Sequence, residues 1–290
     1  MIAEMVVPLA VCSALAVLAA AAHRRLPPAL AARTTTIALV LVALAAVPTV
    51  WVTTVQYLSH APVVGGLFMR CAHALGHHDD IPHAFGLPAL AITVLGVWRA
   101  VRTLRLQRSL RVQRHDGPQV IDDESVFAAA LPGRGGRIVL SRGLNELLQP
   151  DEREVVIAHE QAHVAHRHDR YLLAGQLAAD LSLVLGPVVR QLRFSLERWA
   201  DEAAAEQCGD RRFVARTLGR VAVHAADRQP VLAFAGLGVA ARMTALLAPP
   251  VHQPRPLGRA LLQCAVVGAV VFAAFQWRHL GAMLIALCRG

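Results

Sequence analysis

The sequence predicts a mainly α-helical integral membrane protein, with about four spanning helices and a small α+β domain set between the third and the last. Three observations predict it. Hydrophobic residues make up 55% of the 290-residue chain, more than an ordinary soluble domain carries. They gather into runs long enough to cross a hydrocarbon core of about 30 Å. Between the third and last runs, the alternation and the Gly/Pro punctuation of a soluble domain return.

The first apolar run, residues 5–22, ends at His23, Arg24 and Arg25. Its charges follow the apolar stretch instead of preceding it, which reads as a retained first span and not as a signal peptide. Residues 34–58 form a second run without a charge, and Trp51 and Tyr57 near its end suit a membrane interface. A polar loop follows, with Arg70 as its basic residue, and residues 81–101 supply the third span. Arg99, Arg102, Arg105, Arg108, Arg111 and Arg114 then recur every third residue.

These arginines set the expected orientation. Arg24, Arg25 and Arg33 crowd the first loop and the ladder follows the third span, so both are expected on the cytoplasmic side, with the N-terminus outside. The formal charge of +9 is explained by this topology, and direct nucleic-acid binding is not expected. The chain contains no lysine. Cys12, Cys71, Cys208, Cys264 and Cys288 are odd in number and show no C-x-x-C spacing, so they read as isolated thiols.

From Gly117 the pattern is that of a soluble domain. Residues 119–121, 126–129 and 137–141 read as short strands, with a Gly/Pro turn at 131–136. Ser141 is suited to cap a short helix through Leu148, and Pro150 to open the next helix. A small sheet packed on that helix is expected, and its outer strand offers main-chain groups for pairing with a peptide.

That helix carries His159, Glu160 and His163, the H-E-x-x-H spacing. Residues four apart lie one turn apart on one helix face, so both imidazoles can bind one Zn²⁺ while Glu160 beside them serves as base. Acidic Asp151 and Glu152 in the first turn and apolar Val155, Val156 and Ile157 give the helix a start and a body. A catalytic zinc needs a third protein ligand. His166 lies too far along the axis, and at Asp169 the chain lacks the glycine turn that would bring it round.

Glu197, on a helix that follows the break at Gly186 and Pro187, supplies a carboxylate, and Asp201 one turn later can orient a ligating imidazole. Glu202 and Glu206 remain open as substitutes. If residues 171–189 crossed the bilayer once, Glu197 would stand on the opposite side from His159. That segment is therefore expected to fold back, as Asp180 within it also argues. Residues 231–247 are apolar with Arg242 inside, and residues 261–275, preceded by Arg255 and Arg259, form the last expected span, which puts the C-terminus outside. The expected domains are 1–104 in the membrane, 105–258 in the cytoplasm, and 259–290 as a final span and tail.

Three early spans, His159-Glu160-Gln161-Ala162-His163 and the later Glu197-Arg198-Trp199-Ala200-Asp201 resemble the BlaR/MecR antirepressor peptidases, which are akin to the HtpX-like and CAAX-prenyl endopeptidases. The stretch from Val126 to Ser141 is also similar to their strand-turn-strand region. The resemblance implies a gluzincin-type peptidase domain with one Zn²⁺ on His159, His163 and Glu197, and Glu160 as catalytic base. It implies a multi-pass protein of the plasma membrane and a protein substrate such as a BlaI-like transcriptional repressor. One departure is plain: without lysine, neither S-x-x-K nor K-T-G can exist, so direct β-lactam acylation is excluded.

Two rival readings carry different functions. A quality-control protease for membrane proteins would use the same residues. A non-proteolytic receptor or scaffold would close a structural metal site with His166 or His168. His60, His73, His77, His78, Asp79, Asp80 and His83 in the second loop show no strong ligand spacing and read as a solvated loop.

Overall fold

In a computed structural model, residues 2–62, 65–66, 68–69, 82–109, 118–131, 136–182, 185–228 and 233–251 are described, with scattered helical residues between 266 and 281. The described chain is mostly helical. Helices α1 (Ile2–Ala22), α2 (Pro28–Ser59) and α3 (His83–Ser109) come first. Strands β1 (Gln119–Ile121), β2 (Ala128–Leu131) and β3 (Arg137–Ser141) follow. Then come α4 (Arg142–Leu147), α5 (Pro150–Ala165), α6 (His168–Ser182), α7 (Gly186–Cys208), α8 (Arg211–Arg228) and α9 (Ala233–Leu247).

Of the expected spans, α2 and α3 are long and apolar enough to cross a membrane. In α1 the apolar stretch among residues whose side chains are described is shorter, Ala10–Ala22. Only scattered residues of the last expected span are described, and most histidines of the second loop lie outside the described residues. The first four arginines of the ladder, Arg99, Arg102, Arg105 and Arg108, continue α3, while Arg111 and Arg114 lie outside the described residues. Within α2, the hydroxyls of Thr34 and Thr36 donate to carbonyls one turn back, which satisfies polar groups in an apolar helix. Thr54 and Thr93 join α2 to α3 at 3.0 Å.

The sheet has the order β1-β3-β2, with β1 parallel and β2 antiparallel to β3. Strand β2 begins two residues later than the apolar run at 126–129 predicts, because Val126 is spent in the core beside Leu140 and Leu144 while pairing runs on to Leu131 opposite Arg137. Ser141 ends β3 and caps α4. Its fully buried hydroxyl accepts from the Leu144 and Phe127 amides at 3.2 and 3.1 Å and donates to the Phe127 carbonyl at 3.1 Å. Ser141→Ala leaves these groups without their partner and is expected to cost about 1–2 kcal/mol. A fall in the thermal melting point of the purified chain checks it.

The segment that must not cross once is a helical hairpin. Trp199 lies against His168 and Tyr171, with ring centroids at 4.8 and 6.0 Å, so α6 and α7 run antiparallel. The hairpin shares one core with the first helices: Cys12, Ala16, Leu39 and Val42 pack with Ala178, Ala179, Leu185, Leu192 and Leu196. Gly96 lets α3 approach α6, since a Cβ there would stand 3.2 Å from the Asp180 carbonyl oxygen. Asp180 is buried yet answered by Thr103 at 2.6 Å, Gln176 at 3.0 Å and Arg99 at 3.5 Å. Gly209, at φ 74°, takes the left-handed cap that ends α7 and turns the chain into α8. A second core joins α5, α7, α8 and α9 through Val155, Ala158, Ala204, Val214 and Leu246.

Candidate metal centre

Helix α5 supplies the two histidines. It starts at Pro150, where the Gln149 amide donates to Glu152 at 3.0 Å, and its apolar side packs on the sheet through Val156, Ile157 and Val164. The sheet therefore fixes the helix at its back, while His159 and His163 face α7. The Nε2 atoms of the two rings stand 3.1 Å apart. Glu197 of α7 places Oε2 3.6 Å from His159 Nε2 and Oε1 3.7 Å from His163 Nε2.

These donors fit a zinc ion. Bonds of about 2.0–2.1 Å in a tetrahedral arrangement put donor atoms roughly 3.3 Å from one another. One donor from each of the three residues lies within 4.8 Å of the others. The polar shell behind them fits too. Asp201 Oδ1 stands 3.0 Å from His159 Nδ1, so that nitrogen carries the proton and Nε2 turns its lone pair to the centre. His163 Nδ1 meets His168 Nδ1 at 2.9 Å, which orients the second ring in the same sense. His168 reaches that place because Arg167, at φ 55°, makes the sharp turn between α5 and α6.

The sequence did not assign a role to Arg242. From α9 its guanidinium reaches Glu197 Oε2 at 2.8 Å and forks onto both Asp201 oxygens at 2.8 and 2.7 Å. A lone cation within an apolar helix was the available signal, since such a charge must find buried carboxylates or leave the core. The other carboxylates considered lie elsewhere: Glu202 pairs with Arg211 at 2.6 Å, and Glu206 and Asp169 are exposed. His166 is exposed and stacked on Trp199 at 4.6 Å, away from the cluster.

Electrostatics follow from this crowding. Burial disfavours charge on His159, but the Asp201 and Glu197 carboxylates outweigh it and lift the imidazole to about 10. Burial lowers His163 to about 4 and His168 to about 3, which keeps both rings neutral. Burial opposes the ionised form of Glu197, yet His159 and Arg242 hold it far below the usual carboxylate range. Glu160 is raised, chiefly by burial, with the His159 charge opposing. A metal ion takes the neutral imidazole, so metal and proton compete for His159.

Glu160 also marks where a substrate can lie. Its carboxylate lies near the Ala130 amide, whose N–H favours the ionised form. The Ser141 amide donates to the Phe127 carbonyl, and alternate residues of an antiparallel strand point alternate ways, so Ala128 and Ala130 present their main-chain groups away from β3. Among the described residues, β2 is an outer strand of the sheet with no second strand partner, and its outer edge thus runs beside Glu160.

Residues 41% identical over 78 positions relate the chain to a protein described as protease HtpX homolog, from Thermoplasma acidophilum. That stretch is 27% of this chain, and the chain spans about a quarter (24%) of the relative's length. No solved structure matches the chain at a significant level. Residues 102–257, more than half of the chain, match the family described as Peptidase family M48, whose peptidases are zinc-dependent. The chain belongs to peptidase family M48.

Proposed function

We propose that the protein is a membrane-integral zinc endopeptidase whose active site faces the cytoplasm. His159, His163 and Glu197 are its metal ligands, Asp201 orients His159, and Glu160 is its base. The observation that carries this reading is the convergence of the three donors beside a half-buried carboxylate and an outer strand edge. When bound, Zn²⁺ supplies the Lewis acidity that lowers the pKa of water and polarises a carbonyl. Glu160 takes a proton from the water as its oxygen attacks the peptide carbon, then gives a proton to the departing amine nitrogen. One water is consumed, and a carboxylate and an amine are left. The edge of β2 holds the substrate extended by main-chain hydrogen bonds.

The arginine distribution supports the cytoplasmic placement, with peptidase residues at 105–258 between the membrane segments. The substrate is a regulatory protein, such as a BlaI-like repressor. The Glu197-to-Asp201 segment and the early membrane helices support this, because they resemble the antirepressor peptidases. Metal analysis of the full chain in detergent tests the ligand set. Wild type is expected to hold one zinc per chain, and Glu197→Ala to lose it together with peptidase activity. A Glu197→Ala protein that keeps stoichiometric zinc overturns the assignment. A comparison of cellular protein fragments between wild type and Glu160→Gln identifies the substrate.

A further inference from the structure

Away from the metal centre, α3, α6 and α7 line a half-open cavity of ≈ 220 Å³ whose wall, among the described residues, holds three arginines and no carboxylate. Arg99 comes from α3, Gln176 from α6, and Gly186, Val189, Arg190 and Arg193 from the start of α7. Arg99 is tied to buried Asp180, which fixes it at the wall. Arg190 and Arg193 are exposed, one turn apart on one face, and have no carboxylate partner among the described residues. The open N-terminal turn of α7 adds its partial positive charge, since nothing stands within 4 Å of a Cβ placed at Gly186. The volume is below the roughly 300–1,000 Å³ of pockets that hold drug-sized molecules, and suits a small anionic group.

The surroundings identify the source of that group. Immediately before Arg99, α3 exposes Val94, Leu95, Val97 and Trp98, and only 17% of its most apolar stretch is buried. Arg102 lies over the Trp98 ring at 5.8 Å, the pairing of aromatic and cation found where a helix leaves the bilayer. A phosphate in the cavity would therefore have apolar chains beside it along α3. Basic pockets between membrane helices take acidic headgroups in this way.

We propose that the cavity between α3, α6 and α7 binds the phosphate of an acidic phospholipid. The proposal rests on the membrane placement of α3 and not on the metal centre. It is tested with the full chain reconstituted in phosphatidylcholine nanodiscs containing phosphatidylglycerol, with retained lipid counted by native mass spectrometry after release into detergent. Wild type is expected to retain phosphatidylglycerol in preference to phosphatidylcholine. Arg190→Gln with Arg193→Gln should lower that preference by about 10- to 30-fold. Arg105→Gln with Arg108→Gln, which removes the same charge from exposed positions outside the cavity, should keep it. Equal loss in both pairs, or no preference in wild type, overturns the site. Displacement of phosphatidylglycerol by inorganic phosphate overturns the lipid assignment.

Discussion

Glu160→Gln is expected to keep one zinc per chain and to lower peptide hydrolysis by about 10²- to 10⁴-fold. The amide matches the carboxylate in shape but cannot accept a proton from water. Glu160 is not among the three donors that converge on the centre, so its amide leaves the donor set in place. Zinc content and turnover of a denatured protein substrate, measured on the same sample, separate base from ligand. Loss of both together would move Glu160 into the ligand set. Cleavage that the substitution leaves unchanged for every substrate tried would not arise at this site, and would leave a non-proteolytic receptor or scaffold with a structural metal. The geometry opposes that second outcome. His166, one of the two residues that would have to close such a site, stacks on Trp199, and His168, the other, turns its Nδ1 to the outer nitrogen of His163, so neither is in the donor set.

What the sequence made legible was local. The spacing of His159 and His163 is helix geometry, and Pro150 and Ser141 mark boundaries through their own backbone chemistry. The fold-back of residues 171–189 was also legible, though by an indirect route: Glu197 could serve only if the chain returned. The hairpin of α6 and α7 makes that return, with Gly175 packed within reach of Leu192. Arg242 was not legible in the same way. It lies 45 residues beyond Glu197, on another helix, and no spacing rule links α9 to α7. Nor does a pattern reveal that His168 turns back beneath His163, because the turn depends on Arg167 adopting a positive φ. Non-glycine residues take that conformation only where tertiary packing demands it.

Arg242→Ala is expected to have the largest effect on stability of any change near the centre, about 3–5 kcal/mol. The guanidinium is 11% exposed and answers three carboxylate oxygens at once. Without it, buried Asp201 and the partly exposed Glu197 lose a shared cation, so repulsion between them is no longer offset. Arg242→Lys should recover only part of the loss, because an ammonium cannot fork onto Asp201 and still reach Glu197. The pH dependence gives an independent reading. Both carboxylates are held below their ordinary values, so their contribution is present above unfolded-state values of about 4 and is lost as pH falls. Removing Arg242 reduces that depression and should move the acid limb of unfolding to higher pH. Thermal melting of the detergent-solubilised chain across pH measures both effects. A loss below about 1 kcal/mol with no shift of the acid limb would class the trio with exposed ion pairs. In that case Arg242 would not hold Glu197 and Asp201 in place, and their alignment on His159 would rest on the packing of α5 against α7 alone.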